Sequence, residues 1–156
     1  MIELDLPGRG ELKLEHLVLD VNGTLCRDGR LLDKLPRRLL ALKDRLSLHL
    51  LTANTFGLQD QVDQALGLRA VRLQRGAEAR QKGDYVRQLG AEGVIAMGQG
   101  ANDAEMLKTA AIGVAVLNDE GLAVEALLSA DIVMPSIYQA LDLLEYPGRL
   151  VATLRR

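Results

Sequence analysis

Tryptophan is absent from this chain, phenylalanine occurs once, at Phe56, and three tyrosines complete an aromatic share of 3%. Stacking platforms for single-stranded nucleic acid are therefore missing, and the core has to be aliphatic, filled by Leu, Val, Ile and Ala. Cys26 is the only cysteine, so no internal disulfide can form, and a reducing cytoplasm is the compartment that fits. No apolar run approaches the roughly 20 residues needed to cross a bilayer, so no membrane association is expected. The opening Met1-Ile2-Glu3-Leu4-Asp5 is acidic and alternating, the wrong pattern for a basic segment followed by an unbroken apolar stretch, and predicts no export signal. An excess of either charge is missing too: 19 Lys and Arg against 21 Asp and Glu leave a formal charge of −2, with the basic residues spread along the chain. Neither nucleic acid nor an acidic membrane surface is expected as a partner.

What the chain has is a hydrophobic share of 48% over 156 residues, enough to fill one core, so a single domain over 1–156 is expected. Ile2 to Leu6 alternates apolar and polar, Pro7-Gly8-Arg9-Gly10 supplies turn chemistry, and Leu12 to Glu15 alternates again, which predicts an N-terminal hairpin. Leu17-Val18-Leu19 is an unbroken apolar run ending at Asp20, the pattern of a strand buried on both faces. From there short apolar strands alternate with amphipathic stretches. Helices are predicted at Lys34 to Asp44, Leu58 to Leu66, Ala79 to Leu89, Asp103 to Thr109, Leu122 to Ser129 and Ile137 to Leu144. Strands are predicted at Ser47 to Thr52, Ala70 to Leu73, Val94 to Met97, Gly113 to Val116 and Ile132 to Met134. This rhythm means an α/β fold with a doubly wound, Rossmann-like parallel sheet and helices on both faces.

Ligands in such sheets bind beyond the carboxyl ends of the strands. Four predicted strand ends carry polar or glycine-rich chemistry: Asp20 to Thr24, Thr52 to Thr55, Leu73 to Gly76 and Gly98 to Asp103. Each also has a plain structural reading. Asn22-Gly23 between apolar residues is a hairpin signal that would make Asp20 an ordinary turn-flanking carboxylate. Thr52 reads equally as a helix cap, with Asn54 and Thr55 as rivals, and Lys82 as a solvated lysine on an amphipathic helix. The loop before Asn102-Asp103 reads as a turn and cap. Against the hairpin stands the polar segment Thr24 to Arg30, which makes a poor partner strand for the core. Met97, Met106 and His49 read as packing residues, and Cys26 and His16 as incidental.

Taken in order, three of these strand ends together with Lys82 resemble the motifs of the haloacid dehalogenase superfamily. Asp20-Val21-Asn22-Gly23-Thr24-Leu25 is similar to its first motif, Asp-x-Asp-Gly-Thr-Leu after an apolar strand. Thr52 resembles the second, Lys82 the third, and Gly98 to Leu107 the fourth, Gly-Asp-Gly-x-Asn-Asp. The likeness runs from about Leu17 to about Met134. It is strongest to the phosphorylation domain of P-type ATPases and to the small capless soluble P-type ATPase-like phosphatases. The resemblance implies a Mg²⁺-dependent phosphohydrolase in which Asp20 is the nucleophile. Thr52 and the backbone N–H of Ala53 would hold phosphoryl oxygens, Lys82 would neutralise charge, and Asp20, Asn22, Gln99 and Asp103 would supply the metal's oxygen ligands.

Two departures matter. Asn22 stands where the phosphatases carry an aspartate acting as general acid and base, and a neutral amide cannot shuttle that proton. Gln99 stands where the fourth motif has a metal-binding aspartate, which removes one negative charge. The expected phosphatase is therefore a slow one, with a catalytically weak or inactive phosphate-binding regulator as the alternative. A phosphoacceptor receiver domain also uses Asp, Thr and Lys, but it carries its phosphorylated Asp on a later strand. Only Cys26 to Leu51 separates the first two motifs, room for a small flap and no large cap. The open site suits a phosphorylated small molecule or a phosphoprotein, and it is compatible with a neighbouring subunit covering it in a homo-oligomer.

Overall fold

The computed structural model describes residues 1–156. The chain begins with an antiparallel hairpin, β1 (Ile2–Leu6) and β2 (Gly10–Leu14), in which Ile2 lies opposite Leu14. There follow β3 (His16–Asp20), β4 (Cys26–Arg27), β5 (Arg30–Leu31), α1 (Leu35–Leu42), β6 (Ser47–Thr52), α2 (Gln59–Leu66), β7 (Val71–Arg72) and α3 (Glu78–Leu89). The second half is β8 (Val94–Gly98), α4 (Ala104–Thr109), β9 (Ile112–Val116), α5 (Val124–Ser129), β10 (Ile132–Met134), α6 (Ile137–Glu145) and α7 (Gly148–Leu154). Short 3₁₀ turns at Ala91–Gly93 and Ala101–Asp103 lead into β8 and α4.

Six strands form one parallel sheet in the spatial order β10, β9, β8, β3, β6, β7. The expected doubly wound α/β architecture is present. Strand β3 is central, and the order of connection reverses on either side of it, so the switch point lies at the carboxyl ends of β3, β6 and β8. Unbroken apolar strands such as Val94–Gly98 and Ile112–Val116 are buried at every position, because helices cover both faces. On one face Leu17, Leu19, Leu50 and Ile95 pack with α1, α2, α6, α7 and the β1–β2 hairpin; on the other Val18, Leu51 and Ala96 pack with α3, α4 and α5.

Strand ends shift by a residue or two from expectation, and two elements stand out. The Asn22-Gly23 hairpin signal is not used as one: Gly23 turns back with φ 82° and donates to the Cys26 carbonyl at 2.9 Å. The hairpin forms one turn later, between β4 and β5, where Asp28 and Gly29 both take positive φ as a two-residue type I′ loop requires. Helix α7 was not anticipated. Its β-branched Val151 and Thr153 have modest helix propensity, and it is held by burial of Leu150 and Leu154 against the rest of the core.

Strand β9 and helix α4 pack in close backbone contact at Gly113. A side-chain carbon at Gly113 would run into the Leu107 carbonyl, with the Leu107 carbonyl carbon at 2.8 Å and its Cα at 3.1 Å. Gly113→Ala is expected to push α4 off the strand and cost about 1–3 kcal/mol, read as a lower urea midpoint, whereas the same change at open Gly121 strains only its positive φ.

Candidate active site

Side chains alternate along β3, so Val18 and Asp20 project to the face covered by α3 and α4. Lys82 lies one helical turn before the buried Val86 on α3 and shares its sheet-facing side. Its ammonium reaches back to the strand end, donating to Asp20 Oδ1 at 2.7 Å and to Asp103 Oδ1 at 2.6 Å, with Asn102 Oδ1 at 3.3 Å. Lys82 is 1% exposed, Asp20 4% and Asp103 0%. The reading of Lys82 as a solvated surface lysine is overturned: its helix turns it inward, where only paired charge is tolerated.

Each carboxylate is held at both oxygens. Thr24 Oγ1 donates to Asp20 Oδ2 at 2.9 Å, while the backbone N–H groups of Gln99 and Gly100 donate to Asp103 Oδ2 at 3.0 and 2.9 Å. Asp103 thereby ties the glycine-rich loop to Lys82. Gly98 permits this, since a side-chain carbon there would meet the Asp103 carboxylate carbon at 2.6 Å. Burial pushes the Asp20 carboxyl up to about 7, the Asp103 charge adds to the rise, and Lys82 and Thr24 restrain it. Burial opposes the Lys82 charge, but the two carboxylates outweigh it and raise its pKa, so the ammonium persists. One ammonium thus serves two carboxylates, and the raised Asp20 pKa reflects that shortage of positive charge.

Thr52 follows Leu51, the residue opposite Asp20 on the neighbouring strand. It is fully buried and does not cap α2, whose helical residues begin at Gln59. Its hydroxyl accepts from Asn22 Nδ2 at 3.1 Å and from Asn54 N at 2.8 Å, and so keeps its own proton for another acceptor. Asn54 takes the capping part, its Oδ1 accepting from Gln59 N at 3.3 Å. Ala53 lies between Thr52 and Asn54, where the chain turns into Asn54 at φ 52°. Gln99 lies over Gly23: a side-chain carbon on Gly23 would meet the Gln99 carboxamide carbon at 2.8 Å. The fourth expected strand end, Leu73 to Gly76, is tied instead to α3, through Gln74 N to Gln81 Oε1 at 2.9 Å and Gln81 Nε2 to Gln74 O at 2.8 Å.

Two contributors had no assigned role in the sequence. Thr24 orients Asp20, and Asn118 donates to the carbonyl oxygens of Gly23 and, at 3.2 Å, Thr24. The signal for Asn118 was present: Asn118-Asp119-Glu120-Gly121 is a polar turn run just past β9, on the same rim as the other strand ends.

A hard dication fits the donor set. Asp20, Asn22, Gln99 and Asp103 offer only oxygen, and no group of three or more acidic, His or Cys side chains encloses a closed cage. That suits a cation that keeps water and shares phosphate oxygens rather than one held wholly by protein. Three of the Asp103 lone-pair directions are already engaged, which leaves Asp20 the more available carboxylate.

Compared with known proteins, residues 85–137 match a family model described as haloacid dehalogenase-like hydrolase. The fold is similar to cobalt-bound deoxy-D-mannose-octulosonate 8-phosphate phosphatase from Haemophilus influenzae, at 16% identity and TM-score 0.69, covering 85% of this chain and 87% of that one. It is also similar to phosphoserine phosphatase solved as an analogue of its phospho-aspartyl intermediate, at 13% identity and TM-score 0.66, covering 86% and 99%. The chain has the fold of haloacid dehalogenase-like phosphatases, and its residues 85–137 match that family in sequence. The Moraxella catarrhalis octulosonate 8-phosphate phosphatase, solved with magnesium, phosphate and KDO, has 17% identity and TM-score 0.65, covering 91% of this chain and 94% of its own. By sequence, an uncharacterized protein of Methanocaldococcus jannaschii is 48% identical over 62 residues, 40% of this chain and 67% of that protein. The chain thus has a haloacid dehalogenase-like, phosphatase-like fold.

Removing the ammonium while keeping its bulk isolates the electrostatic part of the cluster. Lys82→Met leaves two buried carboxylates facing each other and is expected to lower stability at neutral pH by about 3–5 kcal/mol. The loss should shrink in acid, where protonation relieves the repulsion, as followed by urea unfolding across pH.

Proposed function

We propose that this chain is a magnesium-dependent phosphomonoesterase that works through an aspartyl-phosphate on Asp20. The observation carrying this reading is the convergence of Asp20, Lys82 and Asp103 at 2.6–2.7 Å, at the switch point of the parallel sheet. A buried carboxylate there is costly unless it has chemistry to do or a partner to hold it, and here one oxygen is oriented by Lys82 and the other by Thr24. Magnesium held by Asp20, Asn22, Gln99 and Asp103, when bound, would supply positive charge against the phosphoryl oxygens.

In the first step an Asp20 oxygen attacks phosphorus, the ester P–O bond breaks, and its electron pair leaves on the alcohol oxygen. The Thr52 hydroxyl, already accepting from Asn22 and Asn54, donates its proton to a nonbridging oxygen, the Ala53 N–H donates to another, and Lys82 offsets the added charge. Water then attacks the phosphoryl group, restoring Asp20 and releasing phosphate. Both steps need a proton moved at the alcohol or the water. Asn22 cannot carry it; its amide is turned onto Thr52, so solvent has to serve. Slow turnover follows. The substrate is a phosphorylated small molecule or protein, reached across an open rim whose flap is only the β4–β5 hairpin.

The engagement of Asn22 with Thr52 and of Gln99 with Gly23 also favours a second reading, a phosphate-binding regulator with little or no turnover. Hydrolysis of p-nitrophenyl phosphate with Mg²⁺ separates them. Under the first reading Asp20→Asn abolishes the rate, and Asn22→Asp raises kcat by about 10²-fold or more, within the range for general acid and base catalysis. A wild-type rate that survives Asp20→Asn sinks the aspartyl-phosphate. Activity appearing only after Asn22→Asp and Gln99→Asp together selects the regulator.

A further inference from the structure

Beside the Asp20 cluster lies a hollow of about 470 Å³, bounded by the β4–β5 flap, the loop after β9 and the loop after β10. Gly23 belongs to both: it follows Asp20 in the nucleophile loop and lines the hollow, and its carbonyl is held by Asn118 from the hollow's own wall. The loop that carries Asp20 therefore also walls the hollow, which offers space beside it for the rest of a phosphoester. The lining is mixed, with Leu32, Leu117 and Pro135 beside polar groups, and it is roomy enough for a small organic alcohol.

The charges on this wall restrict what that alcohol can be. Arg27 is the only cation among the lining residues, and Asp119 already holds it, at 2.5 Å. Glu120 also lines the hollow and accepts only the backbone N–H of Asp28, at 3.3 Å. One guanidinium against two carboxylates leaves a net −1 on the wall. A carboxylate or second phosphate on the alcohol would meet Glu120 with no unengaged cation to receive it. A hydroxyl or an ammonium instead finds carboxylate acceptors.

We propose that this hollow is the leaving-group pocket and that it selects phosphomonoesters of neutral or amino alcohols against those carrying a second anionic group. The inference rests on the phosphatase reading of the same site and adds its substrate class. Arg27 and Asp119 side chains are 59% and 71% exposed, so water softens the repulsion, and the selection is moderate rather than absolute.

Two pairs of near-isosteric esters test it with the wild-type protein and Mg²⁺. Glycerol phosphate and terminally phosphorylated phosphoglycerate differ by a hydroxymethyl against a carboxylate; phosphoethanolamine and phosphoglycolate differ by an aminomethyl against a carboxylate. The expected kcat/KM favours the first member of each pair by about tenfold or more. Asp119→Asn, which releases Arg27, and Glu120→Gln, which removes the unpaired acid, are each expected to narrow both ratios. Equal or inverted wild-type ratios overturn the selectivity while leaving the phosphatase standing, as does turnover of p-nitrophenyl phosphate with all four esters refused. Wild-type ratios that neither variant moves overturn the assignment to this pocket. No turnover of any ester, p-nitrophenyl phosphate included, overturns the phosphatase reading and the selectivity together.

Discussion

A single ammonium group holds the rim of this protein together. Lys82 is buried, and its charge is tolerable only because Asp20 on β3 and Asp103 at the start of α4 meet it within 2.7 Å. The same contact ties three separate parts of the chain, since α3 carries the lysine, the central strand one carboxylate and the glycine-rich loop the other. Thr24 and the loop amides then fill the remaining oxygens, so the carboxylates have little freedom to turn. Under the proposed function this oxygen-rich cluster is the seat of a cation and, through that cation, of a phosphoryl group. The fold's other features serve to bring these groups to one place.

Parallel order supplies that place. With β6 and β8 on either side of β3, the chain leaves the sheet in opposite directions at its centre and opens a crevice over the strand ends. Glycines let the loops close over it: Gly98 makes room for the Asp103 carboxylate, and Gly23 takes a positive φ beneath the Gln99 carboxamide. Asn118 from the β9 end fastens the loop after Asp20 from the far side. The rim is therefore braced by strand ends that carry no reacting group as well as by those that do.

The two amides standing in for aspartates are built in rather than left loose. Asn22 polarises the Thr52 hydroxyl, and Gln99 closes against Gly23. Each exchange lowers the negative charge of the site by one and removes a proton carrier or a metal ligand, while preserving shape. On the proposed reading, the polar wall beyond Gly23 adds a chemical filter on what arrives with the phosphate.

Much of this was legible in the residues themselves. Unbroken apolar runs at Leu17 to Leu19 and Val94 to Met97, spaced by amphipathic stretches, determine a parallel sheet, because only a strand covered on both faces tolerates such runs. The order of Asp20, Thr52, Lys82 and the Gly98 to Asp103 loop determines the family resemblance. Helix α7 escaped because its weak propensity is overridden by packing. Local sequence also could not say whether Lys82 points to water or into the core, whether Thr52 caps a helix or keeps a free proton, or that Asn118 braces Gly23. Those are questions of distance between residues 20 to 95 positions apart, answered only when the strands align and burial makes each polar group find a partner.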